Sequence, residues 1–421
     1  MSLPTAFKSL LARNLQRRAE RKRLRGPASL HYTISEHIDD LNPEVWDALT
    51  ANTSWLLSRH YLKAMESALP DNLSPRYAII RDADGKPLVA MMMQLATLRL
   101  QQTHSADVHR SAAVLTETID KITPGQRILI CGNMLTFGQH GLAFAEYADP
   151  EQAWHGVAEV LYRVRRAEKL TGSTHFMMIK DLHAPWQDSA ARLTHLSYRL
   201  LETEPNMVLT LDPAWKTWED YLASLQSKYR SNVRNGILKP LDDAGCELVS
   251  LPDLSSEAER IHALYKMVQI NADFRPFELD AGYFPALQQT AGKLLRASGI
   301  RRNGELLGFI VTLKDGDTAI AWHIGFDRQA ADQGLPLYLR LLHAAIADAL
   351  ALGCKELSFG RTALEPKAAL GAKPQPFSVL IRHRQPILNK VIKHLLLGME
   401  HDDAPERNPF KKSTSSTDAK S

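Results

Sequence analysis

His323 and Asp327 stand four residues apart at the end of an apolar run, Thr318–Phe326. An imidazole titrates near neutrality and a carboxylate accepts protons, so the pair has the make-up of acid–base chemistry. Strand alternation would put His323 on the face of Ala321 and Gly325, thin enough for a ligand to approach. A buried, hydrogen-bonded strand histidine is the alternative, as a turn cap is for Asp327. Downstream, Arg328 and the run Gln333, Gly334, Leu335, Pro336 open a helical stretch. A glycine-led helix start beside an arginine is a place to hold phosphate. Arg361 and Lys367, in Gly360-Arg-Thr-Ala-Leu-Glu-Pro-Lys367, follow the next short strand, and open α/β sheets bind ligands beyond the carboxyl ends of their strands. A further basic cluster, Lys228, Arg230 and Arg234 with Tyr229, sits in residues 218–234, to face an anionic ligand or solvent.

The elements that must position these groups are legible in the pattern. Residues 318–326 are apolar and aromatic and read as a strand. Asp332, Gln333 and Gly334 read as a turn. Tyr338, Leu339, Leu342, Ala345, Ile346, Ala349 and Leu350 recur at helical spacing over 336–352, with Pro336 tolerated in the first turn and Gly353 closing the helix. Residues 356–359 make the second strand. Upstream, Trp218, Leu222, Leu225, Tyr229 and Val233 form the apolar stripe of one helix over 218–233, leaving Lys228, Arg230 and Arg234 on its other face.

A coarse repeat organises the rest. Residues 76–90 read as strand, Asp84-Gly85 turn, strand, and residues 299–311 repeat that hairpin around Asn303-Gly304. A helical stripe through Trp154, Val157, Val160, Leu161 and Val164 ends near Gly172. A strand from His175 to Ile179 then leads to Lys180-Asp181. Gly172 to Gly353 and Lys180 to Arg361 share one offset, so a duplicated α/β domain is expected. Gly132, Asn133 and Gly138 are the first half's candidate ligand-lining residues.

Residues 317–367 resemble the second half of an acyltransferase domain of the GNAT superfamily, in the branch of the Fem-type aminoacyltransferases and BioF-like acetyltransferase domains. The run through Trp218, Tyr221, Leu225, Lys228, Arg230 and Arg234 is similar to the helix by which that branch enters its C-terminal domain. The resemblance, over about residues 215–385, implies two tandem GNAT-like domains, each a mixed twisted sheet flanked by helices. The expected division is a basic extension (1–27), an N-terminal domain (28–204), a C-terminal acyltransferase domain (205–400) and a disordered tail (401–421).

The resemblance also implies direct N-acyl transfer. An amine attacks a thioester carbonyl without a covalent enzyme intermediate, with acyl-CoA as co-substrate and no metal. The acceptor, a small amine or cell-envelope precursor, would lie between the domains. The CoA loop of the superfamily, Gln/Arg-x-x-Gly-x-Gly/Ala, is incomplete here, since Leu335-Pro336 replaces its second glycine. The alternatives are aminoacyl transfer from transfer RNA to a cell-wall precursor, or a non-catalytic binding module.

Composition narrows these classes. The 421 residues allow two cores, and 44% hydrophobic with 23% charged residues is globular composition. The formal charge is +4, but residues 1–27 alone carry eight Lys/Arg against Glu20, which leaves −3 for the remainder. The near-neutral body argues against DNA or transfer RNA as partner. Phe7, Leu10, Leu11 and Leu15 among arginines suit peripheral contact of residues 1–25 with anionic lipid, or else a solvated extension. Cys131, Cys246 and Cys354 are too far apart for a zinc site or disulfide framework, so a reducing, cytoplasmic setting is expected.

Overall fold

Asn303 and Gly304 both take positive φ, 52° and 82°, the conformation a two-residue hairpin turn requires, and Gly85 takes 86° in the first hairpin. Both hairpins therefore form where Asp-Gly and Asn-Gly stand in the sequence. The structure, a computed structural model, describes residues 15, 19, 29–98, 125–184, 186–270, 276–390, 405 and 407–411. The basic segment 1–27, apart from Leu15 and Ala19, lies outside the described residues, and with it the expected lipid contact. Among the described residues no helix is long and apolar enough to cross a membrane.

The chain divides into two units, residues 1–203, 273–279 and 376–401, and residues 204–272, 280–375 and 402–421. The first half supplies β1 (His31–Ser35), α1 (Pro43–Thr50), α2 (Arg59–Glu66), β2 (Leu73–Arg81), β3 (Pro87–Leu98), β4 (Gln126–Cys131), β5 (Leu142–Phe144), α3 (Pro150–Ala167), β6 (Thr174–Leu182) and α4 (Trp186–Ala190). After β7 (Arg199–Thr210) come α5 (Trp218–Ser224), α6 (Ser227–Val233), α7 (Lys239–Asp243), β8 (Cys246–Ser250), α8 (Ala258–Gln269) and α9 (Tyr283–Ala291). The second half closes with β9 (Leu295–Arg302), β10 (Glu305–Asp315), β11 (Thr318–Phe326), α10 (Arg328–Asp332), α11 (Leu337–Ala351), β12 (Glu356–Ser358), α12 (Leu364–Ala369) and β13 (Lys373–His383).

Both units are mixed α/β sheets flanked by helices, with the same plan. In the first, β1, β2, β3 and β4 are antiparallel neighbours, α3 crosses over, and β6 returns parallel to β4. In the second, β8, β9, β10 and β11 are antiparallel neighbours, α11 crosses over, and β12 returns parallel to β11. The last strand of each sheet comes from the other half of the sequence. β13 pairs antiparallel with β6 in the first unit, and β7 pairs antiparallel with β12 in the second.

Helix α11 is buried over much of its circumference, through Leu337, Leu341, Leu342, Ala344, Ala345, Ile346 and Ala349. Each fully buried Leu or Ile contributes about 1.5–3 kcal/mol, which fixes the helix against β9, β10 and β11. Its buried Asp348 accepts from Ser298 Oγ at 2.9 Å and Arg296 Nε at 3.1 Å, and burial raises its carboxyl above the usual range.

The expected single helix over 218–233 is two helices. Leu225 and Gln226 are extended, with ψ of 147° and 152°, because the chain there pairs with the C-terminal segment. The apolar stripe runs on through the break, which hides it from periodicity. The C-terminal stretch also departs from the expected disordered tail. Residues 407–411 are bound to the second unit through Phe410, whose ring lies 5.4 Å from that of Trp215.

Candidate active site

In the second unit the parallel pairing of β11 with β12 covers three residues, Thr318–Ile320 against Glu356–Ser358. Beyond it the strands separate. β12 stops at Ser358 and its continuation stays with β7, through Phe359 N to Met207 O at 2.8 Å and Met207 N to Gly360 O at 3.1 Å. Asn206 Oδ1 reinforces this by accepting from Ser358 Oγ (2.8 Å) and Gly360 N (3.1 Å). β11 runs on to Phe326. Its ladder to β10 slips at this point, Val311 facing His323 and Thr312 facing Ala321, so Trp322 is an extra residue on β11. Bulges of this kind bend a strand and re-aim its groups. The result is a gap at the carboxyl end of the sheet, edged by β11 on one side and the 359–361 segment on the other.

The 327–336 segment leads from this gap into α11. Gly334 takes φ 97°, and a Cβ built on it would meet nothing within 4 Å, so the backbone is open to approach. Pro336 occupies the N-cap of α11 without a side-chain cap; Leu337 N turns back to Leu335 O at 2.8 Å, which leaves the first-turn N–H groups of Tyr338 and Leu339 to an outside acceptor. Arg328, Gln333 and Gly334 are exposed, while Leu335 and Pro336 are half-buried. Asp327 is a cap: its Oδ1 accepts from Ala330 N at 3.0 Å and its Oδ2 lies 3.3 Å from Arg260 Nη2.

Across the gap, Thr362 and Ala363 both adopt left-handed φ, 62° and 45°, a strained turn for non-glycine residues. The buried Lys367 holds this turn. Its Nζ donates to Gly360 O at 3.3 Å and Arg361 O at 2.5 Å. Burial pushes its amine down to about 7, with Glu204 opposing the shift. Burial likewise lowers the Arg361 guanidinium to about 10. An amine that is part neutral near pH 7, reaching from α12 to the post-strand turn, is suited to take a proton.

His323 is placed differently from its sequence expectation. The Ala321/Gly325 face is not open, since a Cβ on Gly325 would lie 2.5 Å from Phe309 Cε1 and 2.6 Å from Tyr265 N of α8. The imidazole is caged by Tyr265, Tyr283, Phe284 and Trp322, with Nε2 3.4 Å from Tyr283 Oη. Burial drives it down to about 3, so it is neutral and a poor base. His343 on α11 is a second buried histidine, also held down to about 3 by burial; its Nδ1 accepts from Trp218 Nε1 at 3.3 Å. Arg230 turns back to the carbonyls of Ala223 (3.3 Å) and Leu225 (3.2 Å), closing α5. Lys228 and Arg234 are exposed and Tyr229 is half-buried.

The equivalent place in the first unit is filled. β4 and β6 stay paired to Cys131 and Ile179, and loop 132–141 is knitted over the strand ends. Lys180 Nζ donates to Thr136 O at 2.7 Å and pairs with Asp181, which accepts from Gly138 N at 3.0 Å. Asn133 donates to Tyr61 Oη and accepts from Leu135 N, so it braces the loop. Asp181→Ala would strand a buried ammonium, and a loss of about 3–5 kcal/mol in chemical denaturation is expected. Wild-type stability in that variant would show that Lys180 is not held by this carboxylate.

Residues the sequence did not single out are Glu204 beside Lys367, Trp322 at the bulge, and Phe410. A lone aromatic in a polar stretch is the sequence signal for Phe410. The bulge and Glu204 have none.

Residues 227–368 match the family model of the acetyltransferase (GNAT) domain. Among solved structures, FemX matches with a TM-score of 0.51 at 10% identity, over 84% of this chain and 98% of that one. A tandem GNAT protein from the clavulanic acid biosynthesis pathway matches with a TM-score of 0.50 at 14% identity, over 85% and 99%. At such identities the likeness is one of fold. No curated protein matches the sequence. The matched segment is a GNAT acyltransferase domain, and over both units the chain shares the fold of FemX and of the tandem GNAT protein.

Proposed function

We propose that the second unit transfers an acyl group from acyl-CoA to an amine. The observation that carries this is the parting of β11 from β12 beside the uncapped start of α11. A thioester donor fits that shape in three parts. An extended amide-bearing arm can pair along β11 beyond Ile320, as a further strand would. The pyrophosphate suits the N–H groups at the start of α11, with Gly334 leaving the backbone approachable and Arg328 near in sequence. Backbone donors near the bulge at Trp322 are suited to the carbonyl oxygen as charge develops on it.

The acceptor nitrogen forms the new C–N bond, the C–S bond breaks, and the electron pair leaves with the CoA sulfur. The proton lost by the amine goes to the neutral form of Lys367, whose two carbonyl contacts aim the nitrogen. Arg361 beside it favours an acceptor that carries negative charge.

Calorimetric titration with acetyl-CoA and longer acyl-CoAs, followed by assay of thiol release with an amine panel, tests the reading. Saturable binding with acyl-dependent turnover is expected. Binding of none, with turnover only from charged transfer RNA, would replace the donor. Gly334→Val would force a branched residue into φ 97° and project it into the approach, so at least tenfold weaker donor binding is expected. Unchanged affinity in a folded Gly334→Val protein would remove this loop from the site.

A further inference from the structure

We infer that the C-terminal segment 407–411 is a positioning strap for Lys367, with Phe410 as its anchor. The inference rests on the proposed role of Lys367 in taking the amine proton.

Every described contact of the strap lies on the second unit, and several bear on the short helix that carries the lysine. Helix α12 has only six residues and no side-chain cap at its start, so it has little stability of its own. Near its start, Glu365 is ion-paired with Arg407, Nε to Oε1 at 3.0 Å. Beyond its end, Leu370 O accepts from the buried Tyr221 Oη at 3.0 Å. Gly371 follows with φ 94°, and a Cβ there would lie 2.4 Å from the Phe410 ring. The ring thus occupies the space a side chain at 371 would need, and it packs against Trp215 and Tyr221.

The strap is itself fixed by main-chain bonds. Gln226 N donates to Pro409 O at 2.8 Å and Lys411 N to Ser224 O at 2.9 Å. Gln226 Nε2 adds bonds to Asn408 O and Phe410 O at 2.9 and 3.0 Å. These bonds use the groups that the extended break at Leu225 and Gln226 exposes, which accounts for the interruption between α5 and α6. The strap therefore grips both ends of α12, and Lys367 reaches from its middle to the strained 360–363 turn. Loosening the grip would let water reach the amine and restore its ordinary basicity, because burial is what suppresses it.

Two readouts on the full-length protein test this, using Phe410→Ala and the milder Phe410→Leu. Competitive acetylation with acetic anhydride, read by mass spectrometry, follows the protonation of Lys367 without any turnover. The midpoint should move to higher pH in Phe410→Ala and less far in Phe410→Leu. The pH dependence of kcat/KM with acyl-CoA should shift the same way, with kcat at neutral pH falling about tenfold while donor affinity stays within about twofold. An unmoved Lys367 midpoint in a folded Phe410→Ala protein would overturn the strap, even if the melting temperature fell. A shifted midpoint with an unshifted rate profile would uphold the strap and overturn the part given to Lys367 in the chemistry.

Discussion

Lys367→Met is expected to lower kcat/KM by about 10²- to 10⁴-fold near neutral pH, the usual contribution of a positioned base. Methionine keeps the length and fills the space of the buried side chain but cannot take a proton or donate to Gly360 O and Arg361 O. The loss of those bonds costs stability, and the relief of burying an amine offsets part of it. The melting temperature should therefore move little while activity collapses. In the wild type the neutral amine grows in as pH rises through about 7, so kcat/KM should rise through that pH to a plateau. The rise should vanish in Lys367→Met. A folded variant with normal activity and an intact pH limb would exclude this lysine as the base, and Arg361 does not replace it, because a guanidinium lowered only to about 10 remains charged at neutral pH.

The second large effect is on stability in acid. His323 and His343 are buried and neutral, each held down to about 3, whereas in the unfolded chain both have the ordinary 6.5. Between those values the unfolded state binds more protons than the folded one. Their contribution is therefore fully present above pH 6.5 and is lost as pH falls towards 3. Each should steepen the fall by about 0.7 kcal/mol per pH unit at pH 6.5, where the unfolded imidazole is half protonated, rising towards about 1.4 near pH 5, the work of one proton taken up on unfolding. His323→Phe and His343→Gln should each remove that increment, and the double variant both. The measurement is the slope of unfolding free energy against pH, from denaturant titrations between about pH 5 and 6.5. A double variant that loses stability in acid as steeply as the wild type would mean that neither imidazole is kept neutral by burial. His323→Phe should also keep most of its activity, which separates its packing role from the acid–base role its place on the strand suggested.

The crossover from β11 through α11 to β12 was legible because each part is governed by local rules. An apolar run, a glycine turn, a 3.6-residue stripe and a closing Gly353 all fall within one contiguous stretch. Asn303-Gly304 and Asp84-Gly85 announced their hairpins for the same reason, since a left-handed turn requires residues that tolerate positive φ. The turn at Gly334 was readable too, from Asp332-Gln333-Gly334 standing just ahead of the helical stripe.

What the sequence could not determine is whatever depends on residues distant in the chain. The length of the β11–β12 pairing is decided by β7, more than a hundred residues upstream, whose Asn206 and Met207 hold the 358–360 segment away from β11. In its local context Lys367 reads as a charged post-strand lysine placed to meet a ligand, with nothing to mark it as buried. It becomes a weakly basic buried amine because α12 is folded under by Tyr221 and Phe410, from opposite ends of the second half. His323 occupies a strand position whose alternation promised an open face, and α8 closes that face. The two halves were recognisable as copies from their order of elements. That one holds a gap and the other a knitted loop was decided by packing, because Lys180 reaches Thr136 and Asp181 reaches Gly138 across the strand ends.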